Sequence, residues 1–451
     1  MKLIKKSVSI LKKPTSSLRD QMIHGVSWSF LLKIISLGIG FVSSILIARI
    51  LGVESFGDYS FAITLTELLI MFSTLGFPVL IVREISKNVA NQQWEPLFGL
   101  IRRSQQISIP FAVAISLLAI LVGTLIEEKP YSNMYFAFLM ALPLVTIGTS
   151  IQLQAAILQG LKFIIASQIS SLIIQRLGFV LLLTFLFIYI QDGISIFTVI
   201  SAQIIMACVA LICSFIILKR RLPKQIYTTK PTYKTSIWFK SALTFLLING
   251  AFLINKQTDI LMIGAFLNSK DVGIYRAAIQ GAELVAIALM VVNIVLLPSI
   301  SSLYAKGEFS KLQKLITLST RTITLVSLPI FIFLYFFGNY FLFLFGNEFI
   351  EGAKSLAILS VGQFINAFFG SVGLILSMTG HEKDTLHGVA VAAIINVILN
   401  IIFIPAWGIE GAAFATTASL VIWNMLLAYK VIQRTGLHST ALGVLFKRKL
   451  H

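Results

Sequence analysis

Charge is scarce in this chain. Only 12% of its 451 residues are Asp, Glu, Lys or Arg, while 57% are hydrophobic; a soluble domain carries roughly 25% charged residues. That deficit excludes a water-soluble fold of this size. Acid is scarcer than base, with 18 Asp and Glu against 36 Lys and Arg. Cysteine is nearly absent: Cys208 and Cys213 share one apolar run, where they read as packing residues and imply neither disulfide nor metal site. Long polar segments are also missing, which leaves no room for a catalytic domain outside the membrane. A phosphate loop of the Gly-x4-Gly-Lys-Ser/Thr kind is absent, which argues against a nucleotide-driven pump.

What the chain has instead is apolar runs of about 20 residues from end to end, each long enough to cross a hydrocarbon core of roughly 30 Å. The reading is an all-α polytopic membrane protein with twelve transmembrane helices in two six-helix bundles. The spans fall at 23–46, 59–79, 107–126, 135–158, 170–190 and 196–218, then at 239–266, 275–297, 315–337, 356–378, 389–403 and 411–431. The seventh is long and expected to tilt or bend. The domain layout is a basic N-terminal segment (1–22), a first bundle (23–218), a basic linker (219–238), a second bundle (239–431) and a basic tail (432–451).

Charge orients the spans. The formal net charge of +18 would suggest nucleic acid in a soluble protein; here the Lys and Arg concentrate in the termini and even-numbered loops. The odd-side loops hold only Arg49, Lys129, Lys270, Arg276 and Lys354. That bias places both termini in the cytoplasm and excludes nucleic acid as partner. The first 22 residues lack the apolar core of a signal peptide and read as a basic segment on the anionic inner leaflet.

A repeat runs through the chain. Gly57-Asp58-Tyr59 is echoed half a chain later by Gly273-Ile274-Tyr275, and in the same register Glu67 falls on Glu283, Lys33 on Asn249 and Gly40 on Lys256. Two halves with even span counts enter from the same side, so their pseudo-two-fold axis lies along the membrane normal and ligand binds between them. Each half is then expected to carry its own outer gate.

Polar residues line single helical faces. The first span presents Ser29, Lys33, Ser36, Gly40 and Ser43; the second presents Ser60, Thr64, Glu67 and Thr74. Most of these also serve simple close packing, but a charge at mid-membrane costs about 2.5–3.5 kcal/mol even on insertion scales. The candidate substrate-binding residues are therefore Lys33, Arg176, Asn249, Lys256, Arg276 and Gln280, with Gln363 and Asn366 of the tenth span as a sugar-facing wall. Glu67, Asp259 and Glu283 are the candidate ion-coupling groups, and Arg49 and Asp58 the gate. Two alternatives stand beside these. Lys256 and Asp259, three residues apart, also fit a structural ion pair, and Arg176 also fits snorkelling to the headgroups.

Several stretches resemble a known family. Ala48-Arg49-Ile50-Leu51-Gly52 with Phe56-Gly57-Asp58-Tyr59, the echo Asp271-Val272-Gly273-Ile274-Tyr275, Leu158-Gln159-Gly160 and Gly408-Ile409-Glu410-Gly411-Ala412-Ala413 are similar to the polysaccharide repeat-unit (O-antigen and capsule) flippases. These belong to the multidrug/oligosaccharidyl-lipid/polysaccharide exporter superfamily. The resemblance implies a secondary transporter of the bacterial cytoplasmic membrane, not an enzyme. Its substrate would be undecaprenyl-pyrophosphate-linked oligosaccharide moved from inner to outer leaflet, with no cofactor beyond H+ or Na+ coupling. Polysaccharide polymerase and chain-length machinery would be its partners. A multidrug antiporter of the same superfamily would share the fold, but Lys33 and Lys256 argue for an anionic ligand. A membrane polysaccharide polymerase would need a large outer loop, and a major-facilitator carrier a basic Gly-Arg cluster that residues 83–105 lack.

Overall fold

A lipid core offers no partner to backbone N–H and C=O groups, so a crossing segment must bond internally as helix. The computed structural model describes residues 18–443 apart from 127–132, 191–192, 224 and 227–228, and gives the backbone alone for 18–33, 125–126, 190, 248, 251, 295 and 298. In the first half of the chain lie α1 (Leu18–Thr74), α2 (Phe77–Ala90), α3 (Trp94–Ile126), α4 (Asn133–Ala141) and α5 (Pro143–Gly160). They are followed by α6 (Ile164–Gln168), a π-helical turn (Ile169–Gln175), α7 (Arg176–Ile190) and α8 (Ile196–Arg221). The second half holds α9 (Thr235–Phe266), α10 (Ser269–Val285), α11 (Ile287–Ala305), α12 (Phe309–Phe343), a 3-10 turn (Asn347–Gly352), α13 (Ala353–Phe369), α14 (Val372–Met378) and α15 (Glu382–Thr435).

Among the described residues, eight helices are long and apolar enough to cross a membrane, or ten if each of two bent pairs counts as one crossing. The protein is a multi-pass membrane protein. Two expected loops are absent as loops. The chain stays helical through 47–58 and 404–410, interrupted only at Gly52 (φ 75, ψ 176) and Gly408 (φ 57, ψ −137). The residues between the expected spans include the polar Glu54, Ser55 and Asp58, but polarity does not end a helix. A positive φ does, and glycine alone reaches it freely. As one straight rod, the 57 residues of α1 would measure about 86 Å, far more than a bilayer core. The predicted bend of the seventh span is present: α9 turns by 52° between Leu247 and Phe252. The eighth span breaks as well, by 50° between α10 and α11.

The halves meet most tightly where the turn and its echo lie. α1 crosses α10 with Gly57 against Gly273: a Cβ on Gly57 would sit 1.7 Å from the Ser269 carbonyl oxygen, and one on Gly273 would sit 2.3 Å from that of Val53. The stretch and its echo, each expected to carry a gate of its own, thus meet in a single contact. Phe56, Tyr275, Phe341, Phe345 and Phe349 are buried around it in one cluster. Farther along the bundle, the start of α9 rests on the first half. Trp238 and Ala242 join the core of Phe77 and Leu80, and the Arg83 guanidinium lies over Phe245, 5.4 Å from the ring centre. α9 also packs along α15, so it, like α10, is held by both halves.

Candidate functional site

The polar groups converge on α9. Lys256 Nζ lies 2.9 Å from Glu283 Oε1 of α10, and the next residue, Gln257, donates from Nε2 to Glu67 Oε2 of α1 at 2.7 Å. The two repeat-related glutamates therefore end on consecutive residues of one helix. The expected Lys256–Asp259 pair is not formed, because Asp259 points away into the second half. The Lys256 and Glu283 side chains remain 58% and 44% exposed, so their bond is open to competition from a ligand; exposed pairs contribute only about 0–1 kcal/mol.

Other candidates gather nearby or stay apart. Gln280 Nε2 donates to Ser44 Oγ of α1 at 2.7 Å, while its Oε1 is buried without a partner. Arg176 reaches α1: its Nη1 donates to the Ser36 carbonyl at 3.3 Å and lies beside Gly40, on the polar stripe of the first span. The preceding π-helical turn, Ile169–Gln175, aims it there, since a wider turn re-phases the residues that follow. Arg276 is half-buried on α10. Asn249 is exposed and, among the described residues, bonds its own helix at the Phe245 carbonyl. Gln363 and Asn366 form a chain with Asn424 of α15: Asn424 Nδ2 donates to Asn366 Oδ1 at 3.1 Å, and Asn366 Nδ2 to Gln363 Oε1 at 3.4 Å. Lys33 lies on α1 with its side chain outside the described residues.

A second centre surrounds Asp259, which is 2% exposed. Its carboxylate accepts from Tyr275 Oη at 3.0 Å, from Asn400 Nδ2 at 2.7 Å and from the Thr416 hydroxyl. Asn400 Nδ2 also donates to Asn396 Oδ1 at 3.1 Å, and Asn400 Oδ1 is buried without a partner. All three donors are neutral. A charge so deep in a membrane is costly, and these three hydrogen bonds offset part of that cost. Asn396, Asn400, Thr416 and Gln257 were not picked out from the sequence. The available signal was Asn396 and Asn400, four apart on one face of an apolar run.

The two residues expected to form a gate, Arg49 and Asp58, bridge the halves. Arg49 donates from Nη2 to the Phe343 carbonyl at 2.5 Å and from Nε to the Leu344 carbonyl at 2.7 Å, so it occupies the orphan carbonyls at the end of α12. Asp58 is buried and accepts from the Ser269 hydroxyl at the start of α10. Replacing Arg49 with Ala should weaken the closed arrangement by about 1.5–3 kcal/mol, the range for a hydrogen bond involving a charged group. The readout is faster labelling of a cysteine placed at Ser55; an unchanged labelling rate would mean that Arg49 is no latch.

A helical bundle with one sealed end and charged groups at the junction of its halves has the architecture of a membrane transporter. Solved structures bear out the fold. The inward-facing conformation of a multidrug resistance MATE family transporter of the MOP superfamily aligns with a TM-score of 0.74 at 13% identity, covering 89% of this chain and 94% of that one. The lipid II flippase MurJ, in an inward closed conformation, aligns at 0.70 and 15% identity, covering 90% and 87%. The model of the polysaccharide biosynthesis protein family matches residues 22–304, and that of MatE residues 241–418. The chain belongs to the polysaccharide biosynthesis protein family. The probable low-salt glycan biosynthesis flippase Agl15 of Haloferax volcanii is 26% identical over 172 residues, 38% of this chain and 36% of that protein. The match thus spans about a third of the relative's length.

Proposed function

We propose that this protein is a flippase that carries lipid-linked oligosaccharide, of the undecaprenyl-pyrophosphate type, from the inner to the outer leaflet of the cytoplasmic membrane by alternating access. The observation that carries this reading is the half-exposed Lys256–Glu283 pair at the junction of the halves, with Arg176 and Arg276 as further cations. A pyrophosphate would displace Glu283 from Lys256, since multiply charged phosphate oxygens make the stronger charge-assisted bonds. The amide chain of Gln363, Asn366 and Asn424 would face sugar hydroxyls, and the prenyl tail would remain in lipid. No covalent bond changes. Family membership and the flippase name of the Haloferax relative support the same reading.

Each of α1 and α15, broken at glycine, counts as two crossings, which turns ten spans into twelve and yields two six-helix bundles joined through residues 219–238. The positive charge in the termini and even loops supports both ends lying in the cytoplasm. The Gly57–Gly273 contact then closes the outer side. With the cytoplasm negative, outward movement of an anion gains about 2.3 kcal/mol per charge per 100 mV. Exchange of Na+ or H+ at Asp259 would add to it. Polysaccharide polymerase and chain-length machinery would act on the delivered repeat units.

The test is outer-leaflet appearance of lipid-linked sugar in proteoliposomes. Lys33→Gln and Lys256→Gln should each slow it at least about tenfold, the effect of losing about 1.4 kcal/mol of binding. Normal flipping by both, at normal protein levels, would rule out the cationic site. A second reading, export of cationic drugs, is favoured by the MATE-like fold and the exposed Glu67. Drug-dependent ion uptake without sugar-lipid flipping would establish it.

A further inference from the structure

The crossing segment 347–378 is interrupted where α13 meets α14, at Gly370 (φ 71, ψ −148). A break leaves carbonyls without their helical partners, which is costly where water is excluded. In an unbroken helix the Phe368 carbonyl would accept from the Val372 N–H, four residues on. Here that N–H turns back to the Gly370 carbonyl at 2.9 Å, closing a three-residue turn at Ser371 (φ −83, ψ 44). The Phe368 carbonyl accepts instead from the Ala441 N–H at 3.0 Å. Ala441 lies beyond the end of α15.

Residues 437–443 form a strap across the first part of α12. The Gln313 amide holds the His438 backbone on both sides: its Oε1 accepts from the N–H and its Nε2 donates to the C=O, each at 2.8 Å. Arg321 Nε donates to the Ala441 carbonyl at 3.1 Å. Leu437 is buried among Leu312, Ile316 and Val372, and Ser439 is buried beside Gly370. Ala441 is thus fixed to α12 through its carbonyl and to the break through its N–H.

We propose that this strap is one position of a two-state switch. Docked, it occupies the Phe368 carbonyl and keeps the crossing segment broken. Undocked, it frees that carbonyl for the Val372 N–H, and residues 353–378 close into a continuous helix. One bond is exchanged for another, so neither state orphans the carbonyl, and glycine at position 370 permits both backbones. Closure would redirect α14 relative to Asn366 and Gln363, about one and two turns before the break. The switch does not depend on which ligand the protein carries.

Hydrogen exchange on the full-length protein in nanodiscs, resolved to single amides, reads both positions. In the parent, the Ala441 amide should be protected like a helix interior although it lies outside any helix. Rapid exchange there would overturn the proposal without any variant. Removing the anchors with Gln313→Ala/Arg321→Ala should speed exchange at Ala441 at least about tenfold, since several hydrogen bonds of the strap are lost. In the same variant the Val372 amide should slow, as a helical bond replaces a three-residue turn. Simple loosening would speed both amides; that result, or no change at either one, would overturn the switch. Gly370→Ala favours the continuous helix and should release Ala441 in turn, because coupling between two sites is reciprocal. Undisturbed protection of Ala441 in that variant would overturn it as well.

Discussion

Valine at position 57 is expected to prevent the sealed end from forming. Gly57 has no room for a Cβ: the atom would fall 1.7 Å from the Ser269 carbonyl oxygen and 3.0 Å from the Gly273 nitrogen. Both obstacles are backbone, so no side chain can turn aside, and α10 itself must move. Overpacking in a core costs about 1–3 kcal/mol even where side chains can adjust, and the cost here should reach or exceed the upper end. Gly273→Val should behave alike, since its Cβ would meet the Val53 carbonyl oxygen at 2.3 Å. Gly38→Val is the control, with nothing within 4 Å of its Cβ. Thermal unfolding of the purified variants reads the result. Both crossing variants should unfold several degrees lower, or fail to accumulate, while the control stays near the parent. A normal melting temperature for Gly57→Val would mean that the helices do not cross this closely in the membrane.

The second large effect is expected at Asp259. Leucine there removes the acceptor of Tyr275, Asn400 and Thr416 together. Each buried group left unsatisfied costs about 1–3 kcal/mol, so the second half should be severely destabilised. Asparagine keeps the shape and much of the bonding, and Asp259→Asn should fold. What it loses is the charge that would hold a proton or cation under the proposed coupling. If Na+ binds here, salt raises the melting temperature of the parent, because a ligand of the folded state stabilises by mass action, and Asp259→Asn shows no such rise. If a proton binds instead, the pH dependence of flipping flattens in the variant. A parent indifferent to both Na+ and pH would remove the coupling role of Asp259.

The parts of this architecture readable in the sequence were those with an energetic signature along the chain. A charge amid apolar residues is expensive wherever it points, so Glu67, Lys256, Asp259 and Glu283 stood out without any coordinates. Their partners did not. Glu67 meets Gln257, and Arg176 meets the carbonyl of Ser36. Such pairings depend on which helices adjoin and at what rotation, and a seven-residue π-helical turn is enough to re-aim Arg176. Asn396 and Asn400 were passed over because neutral amides in apolar helices also serve ordinary packing; only the buried carboxylate opposite gives them a role. The polar stretch around Gly57 marks the crossing in the sequence, but not its local conformation. Its residues tolerate helix, and the break falls on Gly52 alone.

The adjacency of Lys256 and Gln257 has a mechanical meaning. Consecutive side chains leave a helix about 100° apart, so the ammonium and the amide face different halves at the same depth. Glu283 in one half holds the charge, while Glu67 in the other holds a neutral group. The start of α9 packs on Phe77 and Leu80 of the first half, its middle lies along α15, and Asp259 is tied to Tyr275, Asn400 and Thr416. α9 therefore cannot roll freely: the ammonium stays on the Glu283 side, and a change at either glutamate is felt by the same rigid helix.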